Sequence, residues 1–140
     1  MRTLTARDAE DMAQIHAVSF ERPWPALDMS VHTERDFCWG LGNPLQSFVI
    51  FRGADLHAEV LTIATHPDHR GQGVAHQLLD QAIRKLRSQG KKELFLEVAE
   101  DNDPARALYK KLNFVPVGRR PGYYRRAAGR MAAITYSLRL

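Results

Sequence analysis

The residues best placed to do chemistry lie in the segment LTIATHPDHRGQGVA, residues 61–75. A strand ends near Thr65, a tight loop follows, and glycine-rich backbone opens directly into an amphipathic helix. Gly71 and Gly73 carry no Cβ, so a ligand can come close to the backbone there. The first amides of a helix have no partner within it, and its dipole favours negative charge at that end. The loop, with Arg70, Gln72, Val74, Ala75 and His76 around its glycines, therefore predicts a phosphate or pyrophosphate site. A purely structural turn would use the same glycines, so both readings stand on this segment alone. It is not a Walker A loop, because no Gly-Lys-Ser/Thr follows, and it lacks the third glycine of a dinucleotide fingerprint.

Two titratable groups follow downstream. Glu97 alternates with Leu96 and Val98, which puts it on the strand face opposite Leu94, Leu96 and Val98. Such a carboxylate is either a solvated surface group or a proton acceptor. Tyr109 shares a helical face with Leu108 and Leu112, where a tyrosine packs its ring and tethers its hydroxyl. His66 and His69 stand three apart with Asp68 between them, but no third and fourth partner recurs at a metal-site interval. His16, His32, His57 and His76 are scattered, so solvated histidines and no metal are expected. Cys38, the single cysteine, excludes an intrachain disulfide; with no Cys-His-Asn arrangement it reads as a small buried residue.

The elements that position these groups follow from periodicity. Leu4 and Ala6 suggest a short first strand, and Asp8 a cap for a helix with Ala9, Met12, Ala13, Ile15, His16 and Val18 at helical spacing. Pro23-Trp24-Pro25 interrupts it, and a second helix is expected over Ala26–Glu34. Phe37–Gly42, Leu45–Arg52 and Leu56–Thr65 read as strands, with Arg52 to Asp55 as the turn between the last two. Val74, Ala75, Leu78, Leu79, Ala82, Ile83 and Leu86 form the stripe of a long helix that Gly90 stops. Leu94–Val98 is the next strand. Asp103 reads as the N-cap of a short helix with Pro104 in its first turn and Ala105, Leu108, Tyr109 and Leu112 on one face, and Asn113 ends it in the left-handed conformation. Phe114–Gly118 and Ala132–Leu138 close the chain as strands. The order β-α-α-β-β-β-α-β-α-β-β predicts a mixed α/β fold, a sheet flanked by helices in a single domain over residues 1–140.

Composition bounds the rest. The 140 residues are 44% hydrophobic and 26% charged, as in a globular domain, and no apolar run approaches the roughly 20 residues of a membrane span. With no apolar signal core at its start, the chain is expected to be cytoplasmic. The net charge of +4 lies wholly in residues 119–140, which hold Arg119, Arg120, Arg125, Arg126, Arg130 and Arg139 and no acid. Such a patch suits an anionic partner or is a solvated edge. Nothing resembles a zinc finger or an aromatic RNA-binding signature, so no direct nucleic-acid role is expected.

Arg70-x-x-Gly73-x-Ala75 resembles the Q/R-x-x-G-x-G/A motif of the GNAT acyl-CoA-dependent N-acetyltransferases, and Ile63-Ala64-Thr65-His66-Pro67 the strand before it. The run from Asn102 to Phe114 resembles their N-x-x-A-x-x-L-Y-x-x-x-G-F segment, with Asn113 where glycine is usual. Within that superfamily the chain is most similar to the RimI-type ribosomal-protein-alanine N-acetyltransferases. Phe20 to Trp24 resembles their F-x-x-P-W loop, Leu96-Glu97-Val98 their L-E-V strand, and Arg119 to Tyr124 their R-x-x-Y-Y hairpin. Those enzymes commonly carry an acid just before the last strand, and Gly129–Ile134 has none.

The resemblance implies a splayed mixed sheet, acetyl-CoA as cosubstrate, and transfer to a protein N-terminus, the alanine of a small-subunit ribosomal protein above all. It makes Glu97 the proton acceptor and Tyr109 the acid that protonates the departing thiolate. Ile63, Ala64 and Thr65 would hold the pantetheine chain through their backbone, residues 70–76 the pyrophosphate, and Asn102 and Tyr109 would also touch the cofactor. Phe20, Trp24, Tyr123 and Tyr124 would line the acceptor groove; for these four a minor hydrophobic cluster is the plainer alternative. Two other functions fit the same motifs: acetylation of a small amine or a lysine, and a non-catalytic acyl-CoA-binding module.

Overall fold

A computed structural model describes residues 1–126 and 129–140; the side chain of Arg126 lies outside what it describes. The elements run β1 (Arg2–Thr3), α1 (Ala9–Ala17), α2 (Ala26–Arg35), β2 (Phe37–Leu41), β3 (Ser47–Ala54), β4 (His57–Thr65), α3 (Val74–Ser88), β5 (Glu93–Ala99), α4 (Asp103–Lys111), β6 (Val115–Arg126) and β7 (Gly129–Arg139). Short 3-10 turns precede α1 and α3. This is the order that periodicity predicts. The seven strands form one mixed sheet in the order β1-β2-β3-β4-β5-β7-β6, parallel only between β4 and β5.

Alternation along the strands divides the core between the two faces of the sheet. Val49, Phe51, Ala58, Val60, Leu94, Leu96 and Val98 pack against the α3 stripe of Leu78, Leu79, Ala82, Ile83 and Leu86, together with Tyr109 and Leu112. Phe48, Ile50 and Ala64 point the other way and bury Met12 and Ile15 of α1 and Met29 of α2. Cys38 is buried in this second cluster, as its type suggests.

Several local expectations are corrected. The first strand is Arg2–Thr3, and Ala6 belongs to a 3-10 turn. That turn is capped by Thr5, in a capping box where the Asp8 carboxylate accepts from the Thr5 amide at 2.9 Å. Asp8 therefore faces backward and gives α1 no side-chain cap. Arg52, Gly53 and Ala54 extend β3, and the chain reverses at Asp55, whose φ of 50° is left-handed. The cap of α4 is Asn102, whose side-chain oxygen accepts from the Ala105 amide at 3.3 Å. Asn113 has the left-handed φ of 69° expected of it.

The pairing of β4 sets up everything that follows. Toward β3 it is continuous from His57 to Thr65, with one extra residue, Leu61, where Ile50 meets Thr62 and Phe51 meets Val60. Toward β5 it covers only His57, Glu59 and the residue between them. Beyond Glu59 no residue of β4 is paired with β5 among the described residues, so the sheet splits there into a gap. Backbone groups of residues 60–65 on that side have no strand partner and face it.

Candidate active site

The gap opens toward the carboxyl ends of two parallel strands, the usual place for a ligand in an α/β sheet. Beyond the end of β4 comes the glycine loop. Gly71 and Gly73 have left-handed φ values of 72° and 77°, and a Cβ at either would meet nothing within 4 Å. The first bond inside α3 runs from the Gln77 amide to the Gly73 carbonyl at 3.0 Å. The amides of Val74, Ala75 and His76 precede it and have no helical partner. An exposed loop of this shape, with open space beside its two glycines and amides without helical partners, fits a pyrophosphate on its own geometry.

Arg70 is occupied elsewhere. Its Nε donates to the Thr65 carbonyl at 3.0 Å and a terminal nitrogen to the Ser19 hydroxyl at 2.9 Å. The side chain fixes the loop between the end of β4 and the end of α1, which leaves the backbone amides as the groups able to meet an anion here. The exposed Gln72 side chain donates within the loop, to the Asp68 carbonyl at 3.2 Å. Asn102 spends its oxygen on the α4 cap, close to the end of β5.

Glu97 pairs in register with Thr135 of β7 on the face opposite the α3 core. Its side chain is 21% exposed and its Oε1 lies 2.9 Å from the Arg120 guanidinium of β6. Arg120 also sits over the Tyr123 ring, 5.3 Å from its centre, and Tyr123 meets Tyr124 edge-on at 5.2 Å. Tyr109 lies on the other face, buried among Phe114, Tyr136 and the α3 core. Burial, with Tyr124 nearby, pushes its phenol above the ordinary range, so it stays protonated at neutral pH. The two groups thus approach the split sheet from opposite sides.

The α1–α2 loop is held by a residue that sequence reading set aside. His16 is buried, not solvated. Its Nδ1 accepts from the Trp24 amide at 3.0 Å, which leaves Nε2 to donate to the Thr62 hydroxyl of β4 at 3.2 Å. Burial lowers its pKa to about 4, so the ring is neutral at physiological pH. Phe20 stacks on it at 4.2 Å and Trp24 at 5.0 Å, and Trp24 stacks in turn on His32 at 5.0 Å. Phe20 and Trp24 are therefore one ordered stack standing over β4, with Phe20 exposed. The signal was present, since His16 falls on the apolar spacing of α1. Arg120 had no signal beyond its charge: its partner is 23 residues away and set by strand order. Of the arginine cluster, Arg119 is paired with Glu100 at 3.0 Å and Arg120 with Glu97, while Arg125 and Arg130 face each other in register.

The stack carries a test. Trp24→Ala removes both ring contacts while keeping the backbone amide on His16. It is expected to raise the KM for an acceptor peptide about tenfold and cost about 1–3 kcal/mol of stability. The affinity for acetyl-CoA should stay as in wild type; an equal loss of both would make Trp24 part of the general scaffold only.

Comparison with known proteins agrees with this geometry. Residues 9–114 match the model of the acetyltransferase (GNAT) family. The chain is 32% identical over 132 residues to the N-alpha-acetyltransferase RimI of Mycobacterium tuberculosis, spanning 87% of this chain and 82% of that one. It is 33% identical over 132 residues to a longer Mycobacterium leprae protein, of which it spans only 36%. The crystal structure of the ribosomal-protein-S18-alanine N-acetyltransferase from Escherichia coli superposes with a TM-score of 0.92 at 28% identity, covering 99% of this chain and 91% of that one. With a family model over most of its length and a splayed sheet beside a glycine loop, the chain belongs to the GNAT family of acetyltransferases.

Proposed function

We propose that this acetyltransferase is a single domain that moves the acetyl group of acetyl-CoA to the α-amine of a protein N-terminus. The N-terminal alanine of a small-subunit ribosomal protein is the acceptor we favour, which places the reaction in the cytoplasm. The observation that carries the reading is Glu97, an aligned carboxylate on the open face of β5 at the split in the sheet. The names of the M. tuberculosis and E. coli relatives support the acceptor class.

A peptide α-amine has a pKa of about 7.7–8.0 and is mostly an ammonium at pH 7. It must lose a proton before its nitrogen can attack a carbonyl carbon. Glu97 receives that proton, and Arg120 orients its carboxylate. Acetyl-CoA supplies the thioester, with its pyrophosphate at residues 70–76 and its pantetheine arm along the edge of Ile63, Ala64 and Thr65 that β5 leaves unpaired. Amides there polarise the acetyl oxygen. The C–N bond forms as the C–S bond breaks, and the Tyr109 hydroxyl gives its proton to the departing sulfur. No acyl-enzyme is needed, and no described residue near the gap is a free nucleophilic thiol, since Cys38 is buried elsewhere with its pKa pushed up to about 12. The Phe20–Trp24 stack and the Tyr123–Tyr124 hairpin form the walls that an extended peptide enters between.

Tyr109→Phe keeps the ring and removes the proton. It is expected to lower kcat about 100-fold while changing stability by less than about 1.5 kcal/mol. Equal turnover by this variant would remove Tyr109 from the mechanism. The function itself is tested by incubating the protein with acetyl-CoA and peptides whose N-termini are free or blocked, and reading thiol release. Release only with free N-termini supports the reading; release with both points to lysine.

A further inference from the structure

The cavity beside Glu97 holds a second carboxylate to which the mechanism gives no part. About 330 Å³ in volume, it is lined by Ala58, Phe95 and Thr135 and by four ionisable groups, Arg52, His57, Glu59 and Glu97. Their charges do not cancel. Arg52 is committed to Asp36, with nitrogen–oxygen distances of 3.1 and 3.3 Å. Glu97 is committed to Arg120 at 2.9 Å. His57 leans toward Glu93 at 4.0 Å, and Glu93 accepts from the Ser137 hydroxyl at 2.8 Å. Glu59 has no ion pair of its own among the described residues, and the cation whose field it shares, Arg52, is already bonded. Glu59 is therefore the one carboxylate lining the cavity that holds no salt bridge among the described residues, facing in register an Arg52 already bonded to Asp36.

Its position is specific. Glu59 is the last residue of β4 to pair with β5, opposite Phe95, so it marks the apex of the gap. Both Glu59 and Glu97 line the cavity, and their positions are diagonal neighbours across the two strands, a spacing of roughly 7–8 Å in a sheet. An ammonium has three donors and can bond to both carboxylates at once.

We propose that Glu59 anchors the acceptor's α-ammonium at the apex of the gap while Glu97 takes its proton. The inference rests on the Nα-acetyltransferase reading. Glu97 alone is a poor anchor, because Arg120 already answers its charge. Glu59 is exposed and screened, so its contribution is modest and dependent on salt.

The test uses Glu59→Gln with two peptides that begin with alanine, one with a neutral and one with an arginine second residue. At pH 7 and low salt the variant should raise KM about fivefold for both peptides, with kcat and acetyl-CoA affinity within about twofold of wild type. At about pH 9.5 the amine is neutral, and the KM difference from wild type should vanish. An unchanged KM at pH 7 overturns the proposal, as does a rise that persists at pH 9.5, which would be a packing effect. A rise confined to the arginine peptide also overturns it, because Glu59 would then read the side chain. A wild-type enzyme that acetylates neither peptide overturns the Nα reading together with this one; wild-type turnover with an indifferent variant overturns this one alone.

Discussion

Glu97→Gln is expected to lower kcat on an N-terminal peptide by about 10²–10⁴-fold, the range for losing a positioned proton-transfer group. The substitution preserves shape and removes only the capacity to take a proton. Its ion pair with Arg120 is lost as well, but Arg120 is 60% exposed and such a pair adds little to stability. The variant should therefore fold and bind acetyl-CoA as wild type does. The deficit should shrink above pH 8, where more of the amine is already neutral and the base has less to do. A kcat within about threefold of wild type at pH 7 would mean that another group, or water, removes the proton.

Gly73→Val is expected to weaken acetyl-CoA binding by about 100-fold or more. A side chain there projects into the open space before the α3 amides, where two or three charge-assisted hydrogen bonds would otherwise form. The same substitution strains the backbone, since φ is 77° and a β-branched residue resists the left-handed region at a cost of about 1–2 kcal/mol. Gly90 separates the two effects. It has φ of 84°, also with nothing within 4 Å, but it ends α3 far along the chain from the loop. Gly90→Val should destabilise the protein by a similar amount and leave the affinity for acetyl-CoA unchanged. Calorimetric titration of both variants reads the difference. Wild-type affinity in a folded Gly73→Val protein would remove the pyrophosphate from this loop.

What sequence could show was whatever depends on neighbours along the chain. The α3 stripe, the glycine turn, the left-handed Asn113 and the outward face of Glu97 are local patterns, and all are present as read. Asp8 does stand at the N-cap of α1, but its carboxylate turns back to the Thr5 amide, and the cap of α4 slipped by one residue because Asn102 and Asp103 are both good caps. The extent of β6 and β7 was underread and β3 lies two residues further along than expected, because exposed ends of strands carry no apolar alternation. The site's electrostatics were the least legible. The pairs Glu97–Arg120 and Arg52–Asp36, the His16–Thr62 bond and the place of Glu59 beside Glu97 all depend on which strands become neighbours and in what register. The splay itself comes from β4 leaving β5 after Glu59, a fact of pairing that neither strand announces alone.

The central claim is that the acetyl group goes to an α-amine. The most direct measurement is to react the protein with acetyl-CoA and one peptide that begins with alanine and contains an internal lysine, then locate the added acetyl group by fragment mass spectrometry. The account predicts acetyl on the alanine nitrogen, with the lysine unmodified at early times and the modification lost in Glu97→Gln. Acetyl on the lysine, at a rate that Glu97→Gln leaves unchanged, would contradict it.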